Sequence, residues 1–263
     1  MTWLTSLPAA ILVVGGLAAA LLVAIGSRIA GRALIPAAER ESAHSVATPL
    51  MAALGAVFAL LMGLTLASEA GFLASAQGIV SNEAADASRL AWAATGPGVN
   101  SAPIQSALLG YLQATRAYEW SGSNAGEGDD PATTRAIASL ENAVRTQAAR
   151  PALGTPTSTE LLAALDALTN DRRARLAVAS HQLPVLYVVV LAISGTALIV
   201  NATALTLRSG WRSAALVGGL AVVVGLGLAL LFALGTPWRG PITVSGQPID
   251  NVVHDLKTGY FHP

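Results

Sequence analysis

Four long apolar runs dominate the pattern of hydrophobic and polar positions along the chain. They cover residues 8–27, 46–68, 184–207 and 213–235, and each holds at least 20 residues without a charged side chain. A helix rises 1.5 Å per residue, so about 20 residues cross the roughly 30 Å of hydrocarbon in a bilayer. Because lipid offers the backbone no hydrogen-bond partner, each run is predicted to be a transmembrane helix.

The segment 69–183 between the second and third runs is more polar and is predicted to be a helical domain outside the bilayer. The second run continues past Glu69 without a proline as far as residue 94, which predicts one rod of roughly 70 Å from residue 46. Further helices are predicted over 101–119, from Asp130-Pro131 onwards, and from a capping-box pattern at 157–160 through 171–175 towards the third run. Residues 236–263 form a C-terminal tail.

The fold class that follows is an all-α integral membrane protein with four transmembrane helices. Spans two and three extend beyond the bilayer into a helical bundle. No Lys or Arg precedes the first run, whereas a cleaved signal peptide has a positive segment there, so this run is predicted to be a retained anchor.

The distribution of basic residues bears on the side of the plasma (inner) membrane that the helical domain faces. The two ends of the spans carry five basic residues each: Arg28, Arg32, Arg40, Arg208 and Arg212 in the short connections, against Arg172, Arg173, Arg175, Arg239 and Lys257 on the opposite flanks. The positive-inside rule gives most weight to short loops. The charges therefore favour the extracytoplasmic side for the helical domain.

Composition supports the membrane assignment and removes several classes of function. Hydrophobic residues make up 53% of the 263 residues and charged residues 11%, whereas a soluble domain carries about 25% charged residues. The net charge of zero argues against a nucleic-acid binder. The chain has no cysteine, and its four histidines are scattered. No catalytic motif is present, so we expect neither an enzyme, nor a cofactor, nor a metal site.

The acidic residues Glu127, Asp129 and Asp130 fall in a glycine-rich stretch whose spacing fits no calcium-binding loop, and a solvated loop is the expectation. Within the third span, Asn201 and Thr203 are polar. Uncharged polar side chains in a membrane usually bond to a neighbouring helix, and this is predicted here.

The second span carries the most informative pattern, a small residue at every fourth position. These residues are Gly55, Ala59, Gly63, Ala67 and Gly71, which we call the small-residue stripe. Such a stripe lets helix backbones approach closely, either between spans of one subunit or between subunits around an axis. In the second case another face of the helix becomes the candidate pore lining: Phe58, Met62, Thr65 and Glu69.

Charged groups at the mouth of such a pore would select ions. A ring of Glu69 would favour cations. The basic cluster at the membrane edge, Arg172, Arg173 and Arg175, would instead gather anions or hold anionic lipid headgroups.

Several stretches of the chain resemble the bacterial bestrophin-like four-span membrane family, whose domain is one of unknown function. They are residues 32–44, 61–64, 82–84 and 171–175, and the Pro237-Trp-Arg-Gly-Pro-Ile-Thr-Val244 segment directly after span four. The sequence departs from the family pattern at Ser45 and Val46, where an asparagine and an acidic residue are expected. The resemblance covers nearly the whole chain.

The family is similar in arrangement to the bestrophins, which are pentameric anion channels with a pore lined by the second span and this domain in the cytoplasm. The resemblance thus implies a homo-oligomeric channel for small ions in the lipid bilayer. The alternative, which fits the absence of charge deep in the spans, is a non-conducting, membrane-anchored helical interaction or sensor module.

Overall fold

The computed structural model describes residues 9–120, 129–180, 183–235, 238 and 242–261. Glu127, Pro237 and Arg239, which the sequence analysis names, lie outside these ranges. Within them the ordered elements are helices and no strand is present, which confirms the all-α class. The α-helices are α1 (Ala9–Leu34), α2 (Arg40–Ala93), α3 (Ser101–Ala114), α4 (Pro131–Ala148), α5 (Thr155–Ala179), α6 (Val185–Leu205), α7 (Trp211–Leu234) and α8 (Gln247–Thr258).

The chain divides into two compact units. The span unit comprises residues 1–71, 182–236 and 240–242, and the helical unit comprises 72–181, 237–239 and 243–263. Among the residues that the structure describes, four helices are long and apolar enough to cross a membrane, namely α1, α2, α6 and α7, as the four apolar runs predict. The second of these helices is continuous for 54 residues, so the continuous helix that the sequence predicts past Glu69 is present.

The span unit is held together most closely where α1 crosses α7. A Cβ atom at Gly225 would lie 2.7 Å from the carbonyl oxygen of Gly16, and a Cβ at Gly16 would lie 2.7 Å from that of Gly225. The two backbones therefore touch, which only a pair of glycines permits. In a bilayer, where lipid removes most of the hydrophobic drive between helices, such close packing is a main source of association.

The helical unit has an apolar core built from one face of each of its helices α3, α4 and α5. These buried residues are Ile104, Leu108 and Leu112 of α3, Ile137, Leu140 and Val144 of α4, and Leu161, Leu165 and Leu168 of α5. The start of α4 is also as predicted, because the Asp130 side chain accepts a hydrogen bond of 2.7 Å from the Ala132 N–H. At the end of α3 the chain continues as a π-helix over Thr115–Glu119 rather than as an α-helix.

Three local predictions need correction. The capping box at 157–160 is wrong, because α5 begins earlier at Thr155, with Gly154 as its N-cap and Pro156 in its first turn. The end of α5 at Ala179 and the start of α6 at Val185, with Pro184 as its N-cap, separate the two helices. The tail contains a helix that the sequence does not predict, α8, which ends at Thr258 and is capped by Gly259 with a positive φ of 76°.

Candidate functional site

The candidate pore-lining residues of the second span share one helix face, and that face points into the span unit. Phe58 and Met62 are each 7% exposed. Glycines on two other spans make room for them. A Cβ at Gly195 would lie 3.2 Å from Phe58 Cε2, and a Cβ at Gly227 would lie 3.0 Å from Met62 Cε. Both side chains therefore fill the interior of their own subunit.

The remaining two candidates lie on the same face, further along α2. Thr65 is partly buried, and its hydroxyl donates a 2.7 Å hydrogen bond to the Leu61 carbonyl one turn earlier. Glu69 is buried at 3% exposure, close to the point where the span unit ends. Each chain therefore contributes a buried Glu69 at this position, whereas a ring at a pore mouth requires an exposed carboxylate.

The small-residue stripe occupies a different face of α2 and lies open. A Cβ added at Gly55, Gly63 or Gly71 would meet no described atom within 4 Å. Ala59 and Ala67, between them, are exposed. The close helix contact inside the subunit uses the glycines of α1 and α7 instead. Of the two roles that the sequence leaves open for the stripe, packing between spans of one subunit finds no support in this geometry.

The span unit has an apolar core cluster. Its residues are Ala20, Ala24, Phe58, Met62, Leu191, Leu198, Ile199, Ala202, Val217, Ala221, Val224 and Leu231. A cavity of about 500 Å³ lies between α1, α6 and α7, and Thr196 brings the only hydroxyl among its lining side chains. An ion would find almost no group there to replace its hydration shell.

The polar side chains within the spans bond to neighbouring helices, as predicted. The Asn201 side-chain amide donates a 2.9 Å hydrogen bond to the Ala47 carbonyl of α2. The Ser27 hydroxyl of α1 donates to Thr203 Oγ1 at 3.0 Å, and the Thr203 hydroxyl donates to the Ile199 carbonyl at 2.8 Å. These bonds connect α6 with α2 and α1 through uncharged groups.

The helical unit, in contrast, buries a network of charges around Arg175. This guanidinium is 1% exposed, and its Nε lies 2.5 Å from Glu83 Oε2. Its Nη2 lies 2.7 Å from Glu119 Oε2. The Tyr111 hydroxyl donates a short hydrogen bond to Glu83 Oε1, and the Arg175 guanidinium lies over the Trp120 ring, 5.5 Å from its centroid.

Burial and charge act in opposite directions on the groups of this network. Burial opposes the charged form of Arg175, yet Glu83 and Tyr111 raise its pKa above the ordinary value overall. Burial raises the pKa of Tyr111, and the neighbouring Glu83 carboxylate raises it further. At neutral pH the network therefore contains a protonated tyrosine and a permanently charged arginine.

Arg172 extends the network to the surface of the unit. Its Nη2 lies 3.1 Å from Glu119 Oε1 and 2.7 Å from Asp129 Oδ1. Only Arg173 of the predicted basic cluster is exposed, with its Nη1 donating to Asn170 Oδ1 at 3.1 Å. The structure thus places Arg172 and Arg175 against carboxylates instead of at an open basic edge, because α5 turns these two positions inward.

The sequence analysis missed Glu83, Glu119 and Tyr111 as partners of these arginines. One signal was available for Glu83, since it falls between Val80 and Ala87 on the apolar face of α2. A charged residue on a face that is otherwise apolar needs a partner of opposite sign when it is buried. The identity of that partner, 92 positions away, could not be read from spacing.

Comparison with known proteins gives one matching family and several matching structures. The family model described as Bestrophin-like domain matches residues 18–249. The search of curated proteins gave no match.

The structural matches include crystal structures of a bacterial bestrophin homologue from Klebsiella pneumoniae. One is 12% identical, with a TM-score of 0.71, over 95% of this chain and 99% of that chain. Two variants of it, each with a mutation, are 11% and 14% identical, with TM-scores of 0.71 and 0.70. They cover 93% of this chain, and 99% and 97% of their own chains respectively. At these identities the likeness is one of fold.

Proposed function

The chain belongs to the bestrophin-like family, and on that premise we propose that it assembles into a homo-oligomeric ion channel whose pore runs between subunits. The exposed face of α2 then faces the axis or the neighbouring subunit. The buried face, with Phe58 and Met62, holds the helix against its own bundle. No catalytic step is part of this proposal.

One observation carries the proposal, the open small-residue stripe on the second span. Gly55, Gly63 and Gly71 are costly in a helix, each by about 1 kcal/mol relative to alanine, and no part of the described chain packs against them. A second copy of the helix is the partner that would benefit from such a surface, because small residues let backbones approach. The family relationship favours the same arrangement.

The interior of the span unit supports a route between subunits over a route within one. Its core is apolar and its cavity has a single hydroxyl among the lining side chains. Exposed polar groups on α2, such as Ser68, lie outside that core. A conduction path therefore needs surfaces that only an assembly of several chains brings together.

The first test is the subunit count of the detergent-purified protein by native mass spectrometry. A single closed ring, such as a pentamer, is the expected result. A monomer or a dimer would overturn the channel, because neither encloses an axis, and would favour the non-conducting interaction or sensor module.

The second test asks which face of α2 meets water. The chain has no cysteine, so Ser68→Cys introduces a single thiol at an exposed polar position of α2 and Phe58→Cys one on the buried face. In liposomes that show ion flux, a charged thiol reagent should reduce flux through Ser68→Cys and leave Phe58→Cys unchanged. Leu216→Cys, exposed on α7, serves as the control for lipid-facing positions. If the reagent instead reduced flux only through Phe58→Cys, the face of α2 with Phe58 and Met62 would be the pore lining.

The side of the membrane that the helical unit faces is a separate prediction. The basic residues favour the extracytoplasmic side, whereas the resemblance to bestrophins implies the cytoplasm. Ala138→Cys places one thiol on an exposed position of α4. Labelling of intact cells by a membrane-impermeant reagent supports the charge-based side, and labelling only after permeabilisation supports the cytoplasm.

A further inference from the structure

A smaller cavity of the span unit lies between α1 and the first two turns of α7. Its volume is about 190 Å³, and its walls are largely apolar, with Ala24 and Ile25 of α1 and Val217 and Gly218 of α7 among them. A Cβ added at Gly218 would meet no described atom within 4 Å, so this glycine leaves the wall open. Leu21 and Ile25 in the α1 wall are exposed. In a membrane this cavity therefore borders on lipid.

One cation lies in the wall of this cavity. Among the described residues that line it, Arg28 is the only charged one. Its Nη2 donates a 3.0 Å hydrogen bond to the Ser209 carbonyl, whereas its Nη1 has no hydrogen-bond partner among the described groups. The hydroxyl of Thr203, also in the wall, is engaged with Ser27 and the Ile199 carbonyl. A shielded, charged donor without an acceptor is costly, so an anionic acceptor would stabilise this arginine.

The described part of the chain does not supply that anion. Arg28 forms no ion pair with a described carboxylate, and the nearby Glu41 pairs with Arg208 instead. The helix α7 begins at Trp211, just after the carbonyl that Arg28 binds, and it has no acidic residue in its first turn and no side-chain cap. Because the start of a helix carries a partial positive charge, it adds to the charge of the guanidinium. This end of the cavity therefore favours a negative group.

The depth of Arg28 is that of the lipid headgroups. Trp211, at the start of α7, is exposed. Tryptophan is enriched at the level of the headgroups, where its ring has both apolar and polar surroundings. Arg28 is only partly buried, so a ligand can reach its side chain from this level. A lipid phosphate at Arg28 would place its acyl chain along the apolar walls of the cavity.

We propose that the cavity between α1 and α7 binds an anionic phospholipid. The phosphate accepts hydrogen bonds from the guanidinium of Arg28, which can donate two parallel bonds to such a group. One acyl chain lies against Val217 and Gly218. A zwitterionic lipid carries its own cation beside the phosphate, which Arg28 repels. The inference does not require conduction or a closed ring, so it stands or falls separately from the proposed channel.

The test measures binding of dioctanoyl phosphatidylglycerol and dioctanoyl phosphatidylcholine to the full chain in detergent by native mass spectrometry. The anionic lipid should bind about tenfold more tightly. Arg28→Gln removes the charge, keeps a donor for the Ser209 carbonyl, and should lose this preference. Arg32→Gln removes the same charge from an exposed position one turn further along α1, and as the matched control it should keep the preference. Equal binding of the two lipids by the wild type would overturn the proposal.

A conservative variant separates loss of the site from loss of the fold. Arg28→Lys keeps the charge but not the planar fork, so it should retain part of the preference for phosphatidylglycerol. The melting temperature of each variant without added lipid shows whether it folds. An Arg28→Gln variant that melts like the wild type and still prefers phosphatidylglycerol would overturn the role of Arg28.

The position of the acyl chain is tested by filling the cavity. Gly218→Leu places a side chain in the open space of the wall and should weaken binding of phosphatidylglycerol about tenfold. Gly219→Leu is the matched control, because a Cβ there also meets no described atom within 4 Å and Gly219 does not line the cavity. Unchanged binding by Gly218→Leu would overturn the cavity as the chain site.

Two other occupants would give different results. Inorganic phosphate at the same concentration as the lipid should compete weakly, because it has no chain to bury. Full competition by inorganic phosphate would overturn the lipid and identify a site for a free anion. If Gly218→Leu kept its bound lipid but reduced the subunit count, the cavity would belong to a contact with a second copy of the chain, and the lipid proposal would be wrong.

Discussion

The span unit and the helical unit both bury polar side chains, but they bury different kinds. In the span unit Asn201 and Thr203 are buried, uncharged and bonded to α2 and α1, while the buried Glu69 lies near the end of the unit. In the helical unit the buried polar groups include Glu83, Glu119, Arg172 and Arg175, joined in ion pairs. The first unit thus relies on close backbone contact, and the second on matched charges inside an apolar core.

The difference is the one we expect when the span unit lies in a bilayer and the helical unit, as the sequence predicts, lies in water. A charge within a bilayer costs several kcal/mol even when it is paired, so uncharged polar groups and glycine contacts take over there. In a domain that folds in water, a buried ion pair is tolerated when its hydrogen bonds are satisfied, although each charge is costly without its partner. The three predictions that follow test this contrast.

The largest effect is expected in the charge network. Arg175→Met leaves Glu83 and part of Glu119 without their cation, and removal of one partner of a buried pair costs about 3–5 kcal/mol. Arg173→Met makes the same change two positions earlier on the exposed side of α5, where surface changes stay within about 0.5 kcal/mol. The free energy of unfolding, measured by denaturant titration in detergent, checks both. Equal losses would mean that the ion pair does not stabilise the helical unit.

A smaller effect is expected where α1 meets α7. Gly225→Ala places a Cβ 2.7 Å from the Gly16 carbonyl oxygen, a backbone atom that cannot rotate away. Overpacking of this kind costs about 1–3 kcal/mol. Gly219→Ala lies on the same helix in open space and should be neutral or stabilising by up to about 1 kcal/mol. A neutral Gly225→Ala in the same unfolding assay would contradict the close contact.

The smallest effect is expected for a polar contact between spans. Asn201→Ala removes the hydrogen bond to the Ala47 carbonyl, and such bonds in membranes contribute about 0.6 kcal/mol on average. Thr196→Ala, on the exposed side of α6, is the control and should change the unfolding free energy less. If Asn201→Ala lowered the free energy of unfolding as much as Arg175→Met, buried polar groups would contribute equally in the two units.

Most of the elements could be predicted from the sequence because they rest on local signals. Four uncharged runs specify four spans, and Asp130 before Pro131 specifies the start of α4. The sequence pattern gave a wrong helix start where two local start signals lay within a few residues of each other. The capping box at 157–160 lost to Gly154 and Pro156, since proline is favoured in the first turn of a helix. The helix α8 was missed although Ile249 and Val252 have helical spacing.

The candidate site was less predictable, because it depends on which way a helix faces. Spacing separates the face of Phe58 and Met62 from the face of Gly55 and Gly63. Both faces are apolar, and lipid and protein core accept apolar side chains equally, so the spacing leaves open which face is inside. Likewise, Arg172, Arg173 and Arg175 look alike in sequence, and only their contacts separate two buried arginines from an exposed one.

The sequence by itself determined that this chain crosses a membrane four times and carries a helical segment between spans two and three, because length and hydrophobicity are properties of the chain alone. Only the tertiary structure decided that the small-residue stripe is open and that Glu83 meets Arg175, 92 residues further along the chain. Such contacts follow from how the helices rotate and pack, and local periodicity does not encode that rotation.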